Sequence, residues 1–125
     1  MKFQIKVWQE GIHRSKEIAG RGLVNSLEEH LEKAKELLKD DADSNQNKKL
    51  KIPKIHLPLR RKRKGKWRVI YFICAEIKEV EKIPKGFLRL ISKYCDEPNT
   101  VVIMYVLLRN EKTYKKNLKK LINSL

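Results

Sequence analysis

The chain has 125 residues, 36% of them charged, with 30 Lys and Arg against 15 Asp and Glu for a net charge of +15. That length suits one domain with its own core, and no apolar run reaches the roughly 18 residues of a membrane helix. Unbalanced like charge opposes compaction, so its use lies in a polyanionic partner: nucleic acid first, an anionic membrane second, an acidic protein third.

Residues 2–8 alternate, Phe3, Ile5 and Val7 against Lys2, Gln4 and Lys6, the period of a strand with one buried face. This start lacks the apolar core of an export signal, so a cytoplasmic location is expected. Residues 11–19 form a short helix, closed by Gly20 and Gly22. Ser26-Leu27-Glu28-Glu29 has the form of a capping box, opening an amphipathic helix over 25–40 with Leu27, Leu31, Ala34 and Leu38 as its stripe. Residues 41–51 are a polar loop. Ile55, Leu57 and Leu59 then alternate with His56, Pro58 and Arg60 as a strand, which Pro58 confines to a sheet edge. Residues 61–66, with Gly65, form a basic hairpin turn. Residues 67–77 and 100–108 are β-branched, aromatic runs that predict central strands. Between them, residues 78–99 hold Pro84, then Phe87, Leu88, Ile91 and Tyr94, a short inserted helix. Tyr114, Leu118, Leu121, Ile122 and Leu125 mark a last helix over 111–125.

This order predicts one α+β domain over residues 1–125. It has an N-terminal strand, a helical hairpin and a three-stranded antiparallel sheet, with the helical insertion at 78–99 before the last strand and a C-terminal helix. The helices are expected to cover one sheet face and to leave the other face, or its rim, for a ligand. Cys74 and Cys95 lack metal-ligand spacing and are expected to be reduced, partly buried thiols. His13, His30 and His56 are scattered, so no metal and no cofactor are expected.

Charge is segregated. Residues 26–43 carry seven acids and three lysines, residues 44–75 carry no acid, and residues 48–68 hold eleven Lys or Arg. Within that stretch Arg60, Arg61, Arg63 and Lys66 are read as RNA contacts, because guanidinium forks match phosphate oxygens and neutralised phosphates release counterions. The plain alternative is a solvated turn. Arg68 lies inside a strand pattern, sharing a face with Lys66 and Ile70, and a strand-held Arg can stabilise charge developing on a phosphate. Its alternative is an ion pair with Glu28 or Glu32. Arg109 closes the last strand, and Tyr114 follows it. Spacing alone makes Tyr114 the head of a core stripe; chemistry offers base stacking or proton exchange. His56, on the polar side of its strand, is a candidate base.

Two segments together carry a family resemblance. Leu59…Gly65-Lys66-Trp67-Arg68-Val69-Ile70-Tyr71 resembles the "L-R…G-x-(Y/W)-R-(V/I)-x-Y" stretch of the RelE/ParE superfamily of type II toxins. Leu108-Arg109-Asn110-Glu111-Lys112-Thr113-Tyr114 resembles the end of that family's last strand, a terminal Arg with a Tyr following it. The resemblance implies the toxin of a toxin–antitoxin system, a ribosome-dependent endoribonuclease (mRNA interferase) that inhibits translation. Such enzymes cut mRNA by 2′-hydroxyl attack without a metal, leaving a 2′,3′-cyclic phosphate. Arg68, Arg109 and Tyr114 would be the catalytic set, Tyr114 stacking on the base, with Arg61 and Lys66 as supporting phosphate contacts. His56 and Lys54 would be candidates for base or acid in the RNA site. The implied partners are mRNA, the ribosome and a cognate antitoxin wound around the protein, which would be a monomer or part of a small toxin–antitoxin complex, with no membrane involved. The family joins its last two strands by a tight turn, where this chain carries the 78–99 insertion. Two other readings stand beside this one: a non-catalytic RNA- or ribosome-binding protein on the same fold, and a ParE-type DNA gyrase inhibitor.

Overall fold

Alternating and helix-period segments of the sequence become strands and helices in the expected order. The computed structural model describes residues 2–51, 57–78, 82–110 and 113–125. Strand β1 (Gln4–Val7) leads into helices α1 (Gln9–Ala19) and α2 (Val24–Asp41). Strands β2 (Leu59–Lys64) and β3 (Trp67–Ile73) follow, then helix α3 (Lys85–Tyr94), strand β4 (Thr100–Leu108) and helix α4 (Thr113–Asn123). The fold is α+β, with one mixed sheet in the order β1-β4-β3-β2. β1 runs parallel to β4, while the β4–β3 and β3–β2 pairs are antiparallel. β2 lies at the edge, as expected; the expected start of that strand at Ile55 lies outside the described residues, and β2 begins at Leu59, after Pro58. The end of the preceding loop partly covers it, Leu50 N–H donating to Leu59 O and Arg61 N–H to Lys48 O.

The arginine run is strand rather than turn. Lys64 pairs with Trp67, so the hairpin loop is only Gly65-Lys66, and Gly65 takes the left-handed φ of 58° that such a tight loop requires. β3 is shorter than expected, giving way to a 3-10 turn at Cys74–Glu76.

Helices cover both faces of the sheet, not one. Apolar residues of α2 (Leu27, Leu31, Ala34, Leu38) pack on Val69, Tyr71, Val101 and Ile103. On the opposite face, Phe87 and Leu90 of α3 and the Tyr114–Leu118–Leu121–Ile122 stripe of α4 pack on Ile70, Phe72, Val102 and Leu107. Among the described residues both sheet faces are thus covered, and the rim remains.

β1 pairs only with the first part of β4, up to Ile103. Beyond that point α1 takes its place. Ser15 Oγ accepts the Val106 N–H at 3.1 Å and donates to Gly11 O at 2.9 Å, so the ladder donor is satisfied in the interior. Met104 is an extra residue here, since Ile70 pairs with Tyr105 and Tyr71 with Ile103. A side chain at Gly11 would place its Cβ 2.1 Å from the Met104 carbonyl oxygen, so α1 approaches the bulge only because position 11 is glycine.

Two further expectations fail for tertiary reasons. The capping box does not form: α2 begins at Val24, directly after a 3-10 turn, and Ser26 lies inside the helix. Its hydroxyl instead accepts the buried Trp67 indole N–H at 3.0 Å, a donor that would be costly to leave unpaired. Cys74 and Cys95 are not free thiols. The end of β3 and the end of α3 bring their Cα atoms to 5.6 Å, and the two form a disulfide. Among the described residues no helix is long and apolar enough to cross a membrane.

Candidate nucleic-acid interface

Side chains on a strand alternate between faces, and in β2 this sorts one run of cations into two sets. Arg60 and Lys62 point to the α2 side, opposite Tyr71 and Val69. Both are buried and paired. Arg60 holds Glu76 with two hydrogen bonds of 2.7 and 2.6 Å and donates further to Ser44 O and Asn47 O. Lys62 contacts Asp41 at 2.6 Å. Arg60, expected as an RNA contact, is thus committed to the interior. The Arg60 guanidinium lowers the Glu76 pKa from its ordinary value, the hydrogen bond outweighing partial burial.

A depressed carboxylate stabilises the fold above its unfolded pKa and loses that contribution as pH falls through its folded pKa. Glu76→Gln should therefore cost about 2 kcal/mol at neutral pH, the range for a hydrogen bond to a charged group. The gap from wild type should begin to close below about pH 4.5, where unfolded glutamate titrates. Urea unfolding of both proteins across that range checks this; a gap that is independent of pH would refute the assignment.

Arg61 and Arg63 form the other set. They stand opposite Ile70 and Arg68, on the α4 side of the sheet. Arg63 is exposed and Arg61 half-buried, and neither makes an ion pair among the described residues. Arg68 is 4% exposed. Its Nη1 donates to Gly65 O and Trp67 O, both at 2.9 Å, while its Nε is buried with no acceptor. Neither Glu28 nor Glu32 reaches it: Glu28 pairs with Lys16, and Glu32 with Lys35. Burial first, then Arg109, Arg63 and Arg61, push its pKa below the ordinary arginine value. Arg68 is therefore a buried cation among cations, held by carbonyls alone.

The end of β4 brings in the remaining groups. Arg109 N–H donates to Lys66 O at 2.7 Å, tying the strand end to the hairpin loop. Arg61, Arg109, Tyr114 and Lys115 line a cleft of about 300 Å³. Tyr114 heads the α4 core stripe and also lines this cleft, so the two readings of it are compatible. Its hydroxyl is buried beside Arg61, with no hydrogen bond of full geometry among the described residues. Burial raises its pKa, against the pull of Arg61, Arg68 and Arg109, so it is protonated at neutral pH. No acid lines the cleft among the described residues.

Of the sequence-predicted residues, Arg61, Arg109 and Tyr114 meet at this cleft, with Arg63 and Arg68 beside it through their electrostatic coupling and strand pairing. Lys66 is exposed on the hairpin loop next to Arg109. Lys54 and His56 lie outside the described residues. Lys115 was missed, although its place in the first turn of α4 beside Tyr114 was a usable signal. The arrangement offers a concentration of phosphate-binding donors and one neutral hydroxyl donor at the rim of the sheet. No family model, curated protein or solved structure matches this chain.

Proposed function

We propose that the protein is a RelE-type toxin, an endoribonuclease that cleaves mRNA at the Arg61–Arg68–Arg109–Tyr114 rim. The observation that carries this reading is Arg68. It is a cation buried among other cations, with an unsatisfied Nε, and that is an unfavourable arrangement unless an anion completes it. A phosphodiester is such an anion, and the two sequence segments that resemble the toxin superfamily supply the same residues.

In the proposed reaction the ribose 2′-oxygen attacks the adjacent phosphorus, its proton passing to a base. The P–O5′ bond breaks, and the departing 5′-oxygen takes up a proton. The products are a 2′,3′-cyclic phosphate and a 5′-hydroxyl end. Arg68, Arg109 and Arg61 neutralise the charge that accumulates on the pentavalent phosphate, the role of donors fixed in advance. In this reading Tyr114, kept protonated by burial, gives its proton to the leaving oxygen.

The test is expression in growing cells, with mapping of RNA 5′ ends and a parallel gyrase supercoiling assay. Growth arrest with new 5′-hydroxyl ends inside reading frames, and arrest relieved by Arg109→Ala, is the expected result. Intact mRNA with gyrase inhibited, or intact mRNA with the chain bound to ribosomes, would replace it with one of the other two readings.

A further inference from the structure

The 78–99 insertion carries a second set of cations that the rim does not use. Lys85, Arg89 and Lys93 recur every fourth residue of α3, so they form one row, about 6 Å apart along the helix. Phe87 and Leu90, on its other side, are buried in the core. All three cations are exposed, and none makes an ion pair among the described residues; Lys93 lies 5.2 Å over the Tyr94 ring.

This row borders a cleft of about 440 Å³ whose other walls include Trp8, Tyr105, Arg14 and Glu10. Among the side chains that line it, Glu10 is the acid and sits 3.8 Å from Arg14, so four cationic side chains face one carboxylate side chain. Trp8 is half-buried and packs edge-on against Tyr105, with ring centroids 5.7 Å apart. Phosphate-binding cations around an aromatic platform are what single-stranded nucleic acid requires, because any base can stack while the backbone is neutralised. α4 lies between the two clefts, its first turn lining one and Leu125, just beyond its end, lining the other. Its 11 residues span about 16 Å and carry Lys115, Lys116, Lys119 and Lys120.

We infer that the α3–Trp8 cleft is a second subsite for single-stranded RNA, gripping the strand away from the rim, with a base on Trp8 and phosphates on Lys85, Arg89 and Lys93. The inference rests on the proposed function for its choice of RNA as the polyanion. The insertion then serves to hold the strand on which the rim acts.

Trp8 provides the test. The other tryptophan, Trp67, is 2% exposed and belongs to the opposite core, so quenching of emission by ligand reports on Trp8. A single-stranded 12-mer RNA should quench the wild type and leave Trp8→Phe unquenched while still binding it. K85Q/R89Q/K93Q should bind the 12-mer about tenfold more weakly at moderate salt. Its log affinity against log salt should be shallower by about 2, at roughly 0.7 for each phosphate that is no longer neutralised. An unchanged slope in the triple variant overturns the subsite, as does quenching by poly-glutamate equal to that by RNA. Cleavage in cells with an unchanged slope would sink this inference alone. The expected slope change and quenching, with mRNA left uncut, would sink the ribonuclease reading alone.

Discussion

Replacing Arg68 by methionine should lower RNA cleavage by roughly 100- to 1,000-fold, the usual cost of removing one fixed transition-state donor, and should leave the melting temperature close to that of wild type. The second half of that expectation separates a functional arginine from a structural one. Arg68 loses two hydrogen bonds to Gly65 O and Trp67 O on substitution, worth about 1.5–3 kcal/mol each when the donor is charged. Against this, the variant no longer buries a cation and no longer suffers repulsion from Arg109, Arg63 and Arg61. These contributions oppose each other, and methionine keeps the apolar bulk of the stem. Arg60 makes the contrast. It is equally buried but satisfied by Glu76, so Arg60→Met should unfold more readily, leaving Glu76 with the longer 3.7 Å contact to Lys49. Paired measurements of thermal unfolding and of RNA ends in expressing cells decide the matter. Unaltered cleavage by Arg68→Met, or a loss of stability as large as that of Arg60→Met, would remove Arg68 from the site.

Opening the Cys74–Cys95 bond should have the larger effect on stability. The bond joins residues 21 apart in sequence, and closing a ring of that size restricts the unfolded chain by about 3 kcal/mol on the loop-entropy account. For a domain of this length that corresponds to a melting temperature lower by roughly 10 °C. Phe87 would still meet Phe72, their rings 4.7 Å apart, so the fold should survive with α3 less firmly held. Calorimetry of the wild type with and without reductant, and of Cys95→Ser, checks this. Identical melting in all three would mean that the covalent link contributes nothing.

The parts of this architecture that were legible in the sequence are those where local pattern and tertiary environment agree. Val101–Leu108 is apolar throughout because β4 lies inside the sheet with helices over both faces, and the limits of the strand could be read directly. The stripe Leu27–Leu31–Ala34–Leu38 placed α2 for the same reason. Alternation fails as a signal where every residue is basic. Arg60 to Lys64 offers no contrast of hydropathy, so a strand looked like a turn, and the division into paired and unpaired cations was hidden. That division depends on Asp41 and Glu76, which are distant in sequence. The disulfide and the Ser26–Trp67 hydrogen bond are likewise products of proximity in space. For the site, Arg61, Arg109 and Tyr114 were visible as residue types next to strand ends. That Arg68 has no carboxylate partner among the described residues could be learned only from the structure.

The two-residue loop at Gly65-Lys66 has a consequence for how errors in this protein would behave. Because β2 alternates strictly, the loop sets the phase of the hairpin as well as closing it. A slip of one residue would turn Arg60 and Lys62 outward, away from Glu76 and Asp41, and would send Arg61 and Arg63 to the buried α2 side in their place. A misphased molecule would break the matched Arg60–Glu76 and Lys62–Asp41 pairs and withdraw Arg61 from the rim cleft in the same event. Correct folding and a competent site are thus one condition here, so a misfolded population would be inert rather than partly active.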